Sequence, residues 1–149
     1  MRNQVFISYS HQDQKWMEEL KLVLKPLVRN QTLDLWDDTR IAAGTEWREE
    51  IRQALDSACV AVFLVSKYFL ASDFIAEHEI PPLLKAAEKD GLKIIWIYVG
   101  ACLYDKSEFS KYQAAHNISR PLNSLSPDEL DKVLVKIARI IETSTKKKR

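Results

Sequence analysis

Two glutamates follow the most apolar stretch of the chain. Glu77 and Glu79 lie in the segment SDFIAEHEIPPLL (72–84), shortly after the run CVAVFLVS (59–66). Such a run is typical of a strand buried on both faces in the middle of a helix-covered sheet. Open α/β sheets bind their ligands just past the carboxyl ends of such strands. A carboxylate at that position can bond ligand hydroxyls and stabilise positive charge that develops as a bond breaks.

Two prolines shape the start of the helix that carries these carboxylates. Ser72 is a suitable N-cap, and apolar residues then recur at helical spacing, interrupted by Pro81 and Pro82. Proline has no N–H and clashes with the preceding turn, so the helix kinks or its regular part begins near Pro81. Both outcomes place Glu79 at an irregular helix entrance. The competing explanation is a glutamate that the helix dipole favours at a helix start.

Length, charge and cysteine content exclude several classes of protein. The chain has 149 residues, enough for one domain with a full core, and its 46% hydrophobic and 29% charged residues are ordinary for a soluble protein. A net charge of +1 gives no basis for general binding to nucleic acid or to a membrane. Cys59 and Cys102 fit reduced thiols in a cytoplasmic protein. No long apolar segment follows Arg2, so we expect no signal peptide, and no apolar run approaches the roughly 18 residues that a membrane span needs.

Strand and helix patterns alternate along the chain, which predicts right-handed crossovers and a parallel sheet. Strands are predicted at residues 5–8, 32–36, 59–66 and 93–99, with a fifth, shorter one at Pro121 and Leu122. Helices are predicted from Asp13, from Thr45, from Ser72 and, after the capping box of Ser126 and Glu129, near the end of the chain. Residues 100–120 form a weakly patterned connection with a short helix near 109–115.

These elements predict one α/β domain. We expect a flavodoxin-like, doubly wound parallel sheet of five strands in the order 2-1-3-4-5, with helices on both faces. Residues 1–142 are assigned to this domain and residues 143–149 to a basic tail or linker stub. Ligands of such sheets bind where strands one and three diverge. The segments 8–11, 37–44 and 66–79 should therefore face one crevice.

Several functions that share this architecture lack their required residues. A phosphoacceptor receiver needs an aspartate at the end of the third strand, which here ends in Val65-Ser66. A P-loop nucleotidase or a Rossmann dehydrogenase needs a glycine-rich turn after the first strand, and none of the three glycines lies there. His11, His78 and His116 do not have metal-ligand spacing, so no metal site is expected.

The same segments resemble the Toll/interleukin-1 receptor (TIR) domain, particularly its bacterial members. VFISYSHQDQKW resembles the family's first box, and LDLWDDTRIAAGTEWREEI resembles its second strand with the BB loop, here residues 37–44. VAVFLVSKYFLASDFIAEHEIPPLL resembles the third strand and the helix that carries the family's glutamate. YQAAHNISRPLNSLSPDEL resembles the region before the last helix. The resemblance covers nearly the entire chain.

The resemblance implies one of two functions. Many TIR domains are NAD+ glycohydrolases that release nicotinamide and leave ADP-ribose or a cyclic ADP-ribose, and they work in immune and defence signalling as homo-oligomers. A neighbour's BB loop then completes the site, so an isolated domain can look inert. Other TIR domains only assemble signalling complexes through the BB loop. In both cases a fused or separate sensor domain is expected, and NAD+ would be a substrate, with no cofactor.

The resemblance also implies roles for individual residues. The family's catalytic glutamate corresponds to Glu79, directly before Ile80. Phe74 stands where many members have tryptophan, one residue further from the glutamate than usual, which keeps Glu77 as a second candidate. Nicotinamide is already a cationic leaving group, so cleavage needs no acid, and the enzyme must stabilise positive charge on the ribose. Glu79 would do so by hydrogen bonding and charge.

The remaining candidates each have a structural alternative. Ser8, Tyr9 and Ser10 could bond ribose or phosphate, or could cap the next helix. Phe74 could stack on nicotinamide or adenine, or could belong to the core. In the BB loop, Asp37 could hold ribose hydroxyls or a partner, or could belong to a plain turn, and Arg40 is the charge best suited to phosphate or to a neighbouring subunit. Trp36 is interpreted as packing.

Overall fold

Five parallel strands form the centre of the molecule, in the order β2-β1-β3-β4-β5. The computed structural model describes residues 3–37 and 47–145. Its strands are β1 (Gln4–Ser8), β2 (Asp34–Trp36), β3 (Ala58–Val65), β4 (Lys93–Tyr98) and β5 (Gln113–Ala114). Each pair of neighbouring strands is parallel. The predicted flavodoxin-like α/β fold and its strand order are therefore confirmed.

Helices cover both faces of the sheet, which explains why β3 is apolar throughout and why β4 is apolar after the exposed Lys93 at its start. Helices α1 (Gln14–Arg29) and α5 (Pro127–Thr145) pack on one face, and α2 (Trp47–Ser57), α3 (Lys67–Ala71) and α4 (Ile80–Lys89) pack on the other. Successive side chains of β3 enter the two cores in turn, with Val62 on the α1–α5 face and Phe63 on the α2–α4 face. A strand covered on both sides leaves no position for a solvated side chain.

The last helix begins as its sequence predicts. The Glu129 N–H donates to Ser126 Oγ at 3.3 Å, and the Ser126 N–H donates to Glu129 Oε1 at 3.2 Å, which together form the capping box. Arg120 adds a two-pronged contact to the Glu129 carboxylate, at 3.0 and 3.1 Å. Neither α5, with 19 residues, nor any other helix in the described ranges has the length and apolarity to cross a bilayer.

The fifth strand lies earlier in the chain than predicted. β5 pairs Gln113 and Ala114 with Ile95 and Trp96 of β4, whereas Pro121 and Leu122, the predicted position, lead into a 3-10 turn (Leu122–Ser124). That turn still reaches the end of the sheet, because the Asn123 N–H donates to the Val99 carbonyl at 3.0 Å. Because Pro121 has no N–H to donate to a neighbouring strand, this segment makes one hydrogen bond to the sheet and does not form a strand.

The short helix predicted near 109–115 is confirmed only in its first part. The helical part is a 3-10 turn, Glu108–Lys111, after which the chain extends into β5. Phe109 is fully buried and makes edge-to-face contacts with Phe63 and Phe69. Once this ring is anchored, the following residues reach the free side of β4, where the Ala115 N–H donates to the Trp96 carbonyl at 2.8 Å. Residues 113–114 therefore pair with β4 and do not continue the helix.

Candidate active site at the carboxyl edge of the sheet

Glu79 ends a π-helical turn, Ile75–Glu79, directly before α4. The Ile80 N–H donates to the carbonyl of Ile75, five residues earlier. Pro81 and Pro82 in the first turn of α4 have no N–H to donate to the carbonyls four residues before them, so the preceding turn can widen at smaller cost. The sequence prediction that the regular helix begins near Pro81, with Glu79 at an irregular entrance, is confirmed.

The π-helical turn directs the Glu79 carboxylate into the protein. Ile75 and Glu79 are buried, whereas Glu77 and His78 between them are exposed. The side chain of Glu79 keeps 8% of its accessible surface. π-helical turns are rare and frequently occur at functional sites. Of the two glutamates considered from the sequence, Glu79 is therefore the one held in a fixed environment.

Ser8, the last residue of β1, bonds Glu79 directly. Its Oγ donates to Glu79 Oε1 at 2.6 Å, and only 1% of Ser8 is exposed. Alternation along β1 sends Ser8 to the same face as Phe6, which is the face that α4 covers. A charged group removed from water needs such a partner, because an unpaired buried carboxylate would be strongly destabilising.

A second buried serine–carboxylate pair lies between the same parts of the chain. Ser66, directly after β3, donates its hydroxyl to Asp13, which ends a 3-10 turn (His11–Asp13) after β1. Both residues are 4% exposed, and burial raises the pKa of the Asp13 carboxyl above its usual value. Asp13 was not singled out as a site residue. The pattern that could have indicated it is an acidic residue shortly after the first strand, Asp13, together with a serine directly after the apolar run, Ser66.

Two neighbours of Ser8 lie elsewhere. Alternation along the chain places the Tyr9 ring in the core on the α1–α5 face, where 7% of it is exposed, so it does not share the face of Glu79. Ser10 Oγ accepts the Gln12 N–H at 3.2 Å and caps the 3-10 turn. For Ser10 the structure shows the capping role, whereas a role for Tyr9 or Ser10 in ligand binding stays a prediction.

The BB loop is described only at its first residue. Asp37 is 2% exposed, and its Oδ2 lies 3.7 Å from Lys21 Nζ of α1, beside a groove of about 490 Å³ between α1 and β2. This places the Asp37 carboxylate on the α1–α5 side of the sheet. Arg40 and the rest of the predicted loop lie outside the described residues.

Phe74 and Trp36 are packing residues in this structure. Trp36 is 6% exposed and stacks on Phe6, with ring centroids 5.1 Å apart, as interpreted from the sequence. Phe74 is half-buried against the α2–α4 core, and its ring lies 5.0 Å from that of His78. It also lines a groove of about 210 Å³ with residues of α2. The predicted stacking of Phe74 on a substrate ring stays untested.

At the end of β4, a histidine side chain accepts a backbone N–H that, among the described residues, has no partner in a neighbouring strand. The Tyr98 N–H donates to His116 Nε2 at 3.0 Å, a bond that only the unprotonated nitrogen can accept. Burial lowers the pKa of the His116 imidazole below its usual value. His116 is therefore neutral in the folded protein near pH 7 and completes the hydrogen bonding of the β4 edge.

Comparison with known proteins identifies the family. The family model described as TIR domain matches residues 5–133, most of the chain. The chain belongs to the TIR domain family. The matched region contains both partners of the Ser8–Glu79 pair, which this TIR domain carries at the carboxyl edge of its sheet, where parallel α/β sheets bind ligands.

A curated relative of this TIR domain is an uncharacterized protein, y4lF, of Sinorhizobium fredii. The two are 28% identical over 137 residues, which cover 92% of the TIR domain and 42% of the relative. The chain thus spans less than half of the length of the curated relative that it matches. The printed name of this relative assigns no activity to it.

Proposed function

We propose that this TIR domain is an NAD+ nucleosidase, a hydrolase that cleaves the bond between nicotinamide and ribose, with Glu79 as its catalytic residue. The observation that carries the proposal is the Ser8–Glu79 pair: a carboxylate that is 8% exposed, oriented by a 2.6 Å hydrogen bond at the carboxyl edge of β1. A carboxylate fixed in this way stabilises developing positive charge without having to reorganise during the reaction.

The chemistry needs only one well-placed negative charge. As the C1′–N bond of NAD+ breaks, its electron pair leaves with nicotinamide, which becomes neutral, and positive charge develops on the ribose. Glu79 stabilises that charge and the ribose hydroxyls near it. Water then adds to C1′ and releases a proton, which gives ADP-ribose; attack from within the same molecule gives a cyclic ADP-ribose instead.

Self-assembly is part of the proposal. The active species is a homo-oligomer formed through TIR–TIR contacts that include the BB loop, residues 37–44, acting in the cytoplasm in immune or defence signalling. A fused or separate sensor domain would control assembly, and the greater length of the relative from Sinorhizobium fredii is consistent with TIR domains of this kind occurring in longer proteins. Arg40 would then contact substrate phosphate or a neighbouring subunit.

The proposal is tested by incubating the protein with NAD+ over a wide range of protein concentration and measuring nicotinamide by chromatography. We expect release to rise more steeply than protein concentration, because assembly completes the site, and to be lost in Glu79→Ala. Circular dichroism and urea unfolding show whether the variant is folded. Release that is equal in wild type and in folded Glu79→Ala contradicts the assignment.

The alternative function is an interaction module that acts through the BB loop without catalysis. It predicts self-association of the wild-type protein with no nicotinamide release at any concentration. Sedimentation velocity on the same samples distinguishes the two functions, since it reports assembly separately from chemistry. An assembled but inactive wild-type protein would favour the interaction module.

A further inference from the structure

Two buried serine–carboxylate pairs join the same two segments of the chain in opposite directions. Ser8 of the segment 8–13 donates to Glu79 of the segment 66–79, and Ser66 of the second segment donates to Asp13 of the first. In each pair the serine ends or directly follows a central strand, and the carboxylate belongs to the other segment. All four side chains are at most 8% exposed. The segments are therefore fastened at both of their ends.

The hydroxyl of Ser66 has two partners, and Asp13 determines how it is oriented. Ser66 Oγ accepts the Phe69 N–H at 3.2 Å and is the N-cap of α3. Helix α3 has only five residues, so few of its own bonds hold it and its start depends on the cap. Because the Ser66 proton points to Asp13, a lone pair faces the Phe69 N–H. Asp13 thereby fixes the position at which α3 begins.

The start of α3 is connected to Glu79 by an unbroken run of short hydrogen-bonded turns. The Ser72 N–H donates to the Phe69 carbonyl at 3.2 Å, and Ser72 Oγ accepts the Ile75 N–H at 3.2 Å, where the π-helical turn starts. That turn ends at Glu79. A displacement of Ser66 would therefore pass along the segment to the carboxylate.

We propose that Asp13 is a positioning residue for Glu79, acting through Ser66 and α3. Its effect on catalysis rests on the proposed NAD+ cleavage, whereas its effect on the segment 66–79 does not. In this arrangement Ser8 orients the Glu79 carboxylate, and the Asp13–Ser66 pair fixes the backbone position of Glu79.

The first test separates kcat from KM in variants of Asp13. We expect Asp13→Ala to lower kcat about ten- to a hundredfold with a smaller change in KM, because misplacement of a catalytic group by about 1 Å has effects of this size. Asp13→Asn keeps an oxygen that can accept the Ser66 proton, so it should retain most of kcat. Ser66→Ala should behave as Asp13→Ala does. Equal loss in Asp13→Asn and Asp13→Ala would overturn the role of the accepted hydrogen bond.

A matched control removes a helix cap on the other face of the sheet. Ser126 Oγ accepts the Glu129 N–H at the start of α5, far from the π-helical turn in the fold. Ser126→Ala therefore loses a comparable cap, and we expect its kcat to equal that of the wild type. A kcat in Ser126→Ala as low as in Ser66→Ala would show that loss of any cap suffices, and would overturn the positioning role.

The second test does not depend on activity. Amide hydrogen exchange of residues 67–79 should be faster in Asp13→Ala and in Ser66→Ala than in the wild type, and no faster in Asp13→Asn and Ser126→Ala. Unchanged exchange in all four variants overturns the proposal whatever the kinetics. Faster exchange in a protein whose wild type releases no nicotinamide supports the structural part and contradicts the proposed function instead. If Asp13→Ala does not fold, Ser66→Ala and Asp13→Asn still decide.

Discussion

The hydroxyl of Ser8 lies 2.6 Å from Glu79 Oε1, although 71 positions separate the two residues in the sequence. The distance is that of a short O–H···O hydrogen bond. One partner ends a central strand and the other ends a π-helical turn. The pair therefore depends on the fold as a whole and orients the carboxylate within it.

Replacement of Ser8 should affect stability and catalysis together. Ser8→Ala removes a donor from a buried carboxylate, so we expect the free energy of unfolding to fall by about 1–3 kcal/mol. The rate of nicotinamide release should fall as well, because Glu79 loses its orienting bond. Urea unfolding and the nicotinamide assay measure the two effects on one preparation.

Ser10→Ala is the matched control for this variant. Ser10 Oγ caps only a 3-10 turn of three residues and is not fully buried. We expect a smaller loss of stability than in Ser8→Ala. If Ser8→Ala unfolds at the same urea concentration as the wild type, the bond to Glu79 does not have the strength assigned to it.

Replacement of Asp13 by asparagine should raise stability, whereas Ser8→Ala should lower it. Burial raises the pKa of its carboxyl in the folded protein, so the folded state binds more protons than the unfolded state between the unfolded pKa and the raised value. Stability then falls as pH rises through that window, and the ionised form remains a cost above it. We expect Asp13→Asn to increase the free energy of unfolding at pH 7. A decrease at pH 7 together with no change at pH 4 would contradict this account.

His116 should make stability depend on pH below neutrality. Burial lowers the pKa of its imidazole, so between the lowered value and the unfolded pKa the unfolded state binds more protons. The contribution of neutral His116 is fully present above the unfolded pKa of about 6.5 and is lost as pH falls below it. Urea unfolding from pH 7.5 down to pH 5 should show this loss, and His116→Gln should flatten it. An equal slope in both proteins would assign the effect to other groups.

The pKa of the Glu129 carboxyl can be measured directly. The bonds from Arg120 and from the Ser126 N–H lower the pKa of its carboxyl to about 2. Its stabilising effect is therefore present above the ordinary glutamate pKa and is lost as pH falls towards about 2. Carbon-detected NMR of the Glu129 carboxyl should show this value, and Arg120→Gln should raise it. A Glu129 pKa that is the same in both proteins would contradict the assigned cause.

The fold could be predicted from sequence wherever several neighbouring residues indicate the same structure. The two long apolar strands, β3 and β4, can be buried only in a sheet covered on both faces, and Ser126 with Glu129 specifies the start of α5 within a single turn. β5 has only two residues, Gln113 and Ala114, and neither is typical of a strand. Its position follows from the burial of Phe109 and from the free side of β4, which no local pattern records.

The site could be predicted only in part for the same reason. Pro81 and Pro82 indicate an irregular helix entrance at Glu79, because the effect of proline on a helix is local. The partners of that carboxylate are not local. That Ser8 reaches Glu79, while Tyr9 turns to the opposite core, depends on which face of β1 each side chain occupies. The Asp13–Ser66 bond spans 53 positions and was missed.

The most direct test of the central claim compares nicotinamide release by Glu79→Gln and Glu77→Gln at a protein concentration where the wild type is active. Both variants remove one negative charge and keep the size of the side chain, but only Glu79 is buried against Ser8, whereas Glu77 is exposed. The account predicts that Glu79→Gln releases no nicotinamide above background and that Glu77→Gln matches the wild type. Wild-type release by folded Glu79→Gln, or its loss in Glu77→Gln alone, would contradict it.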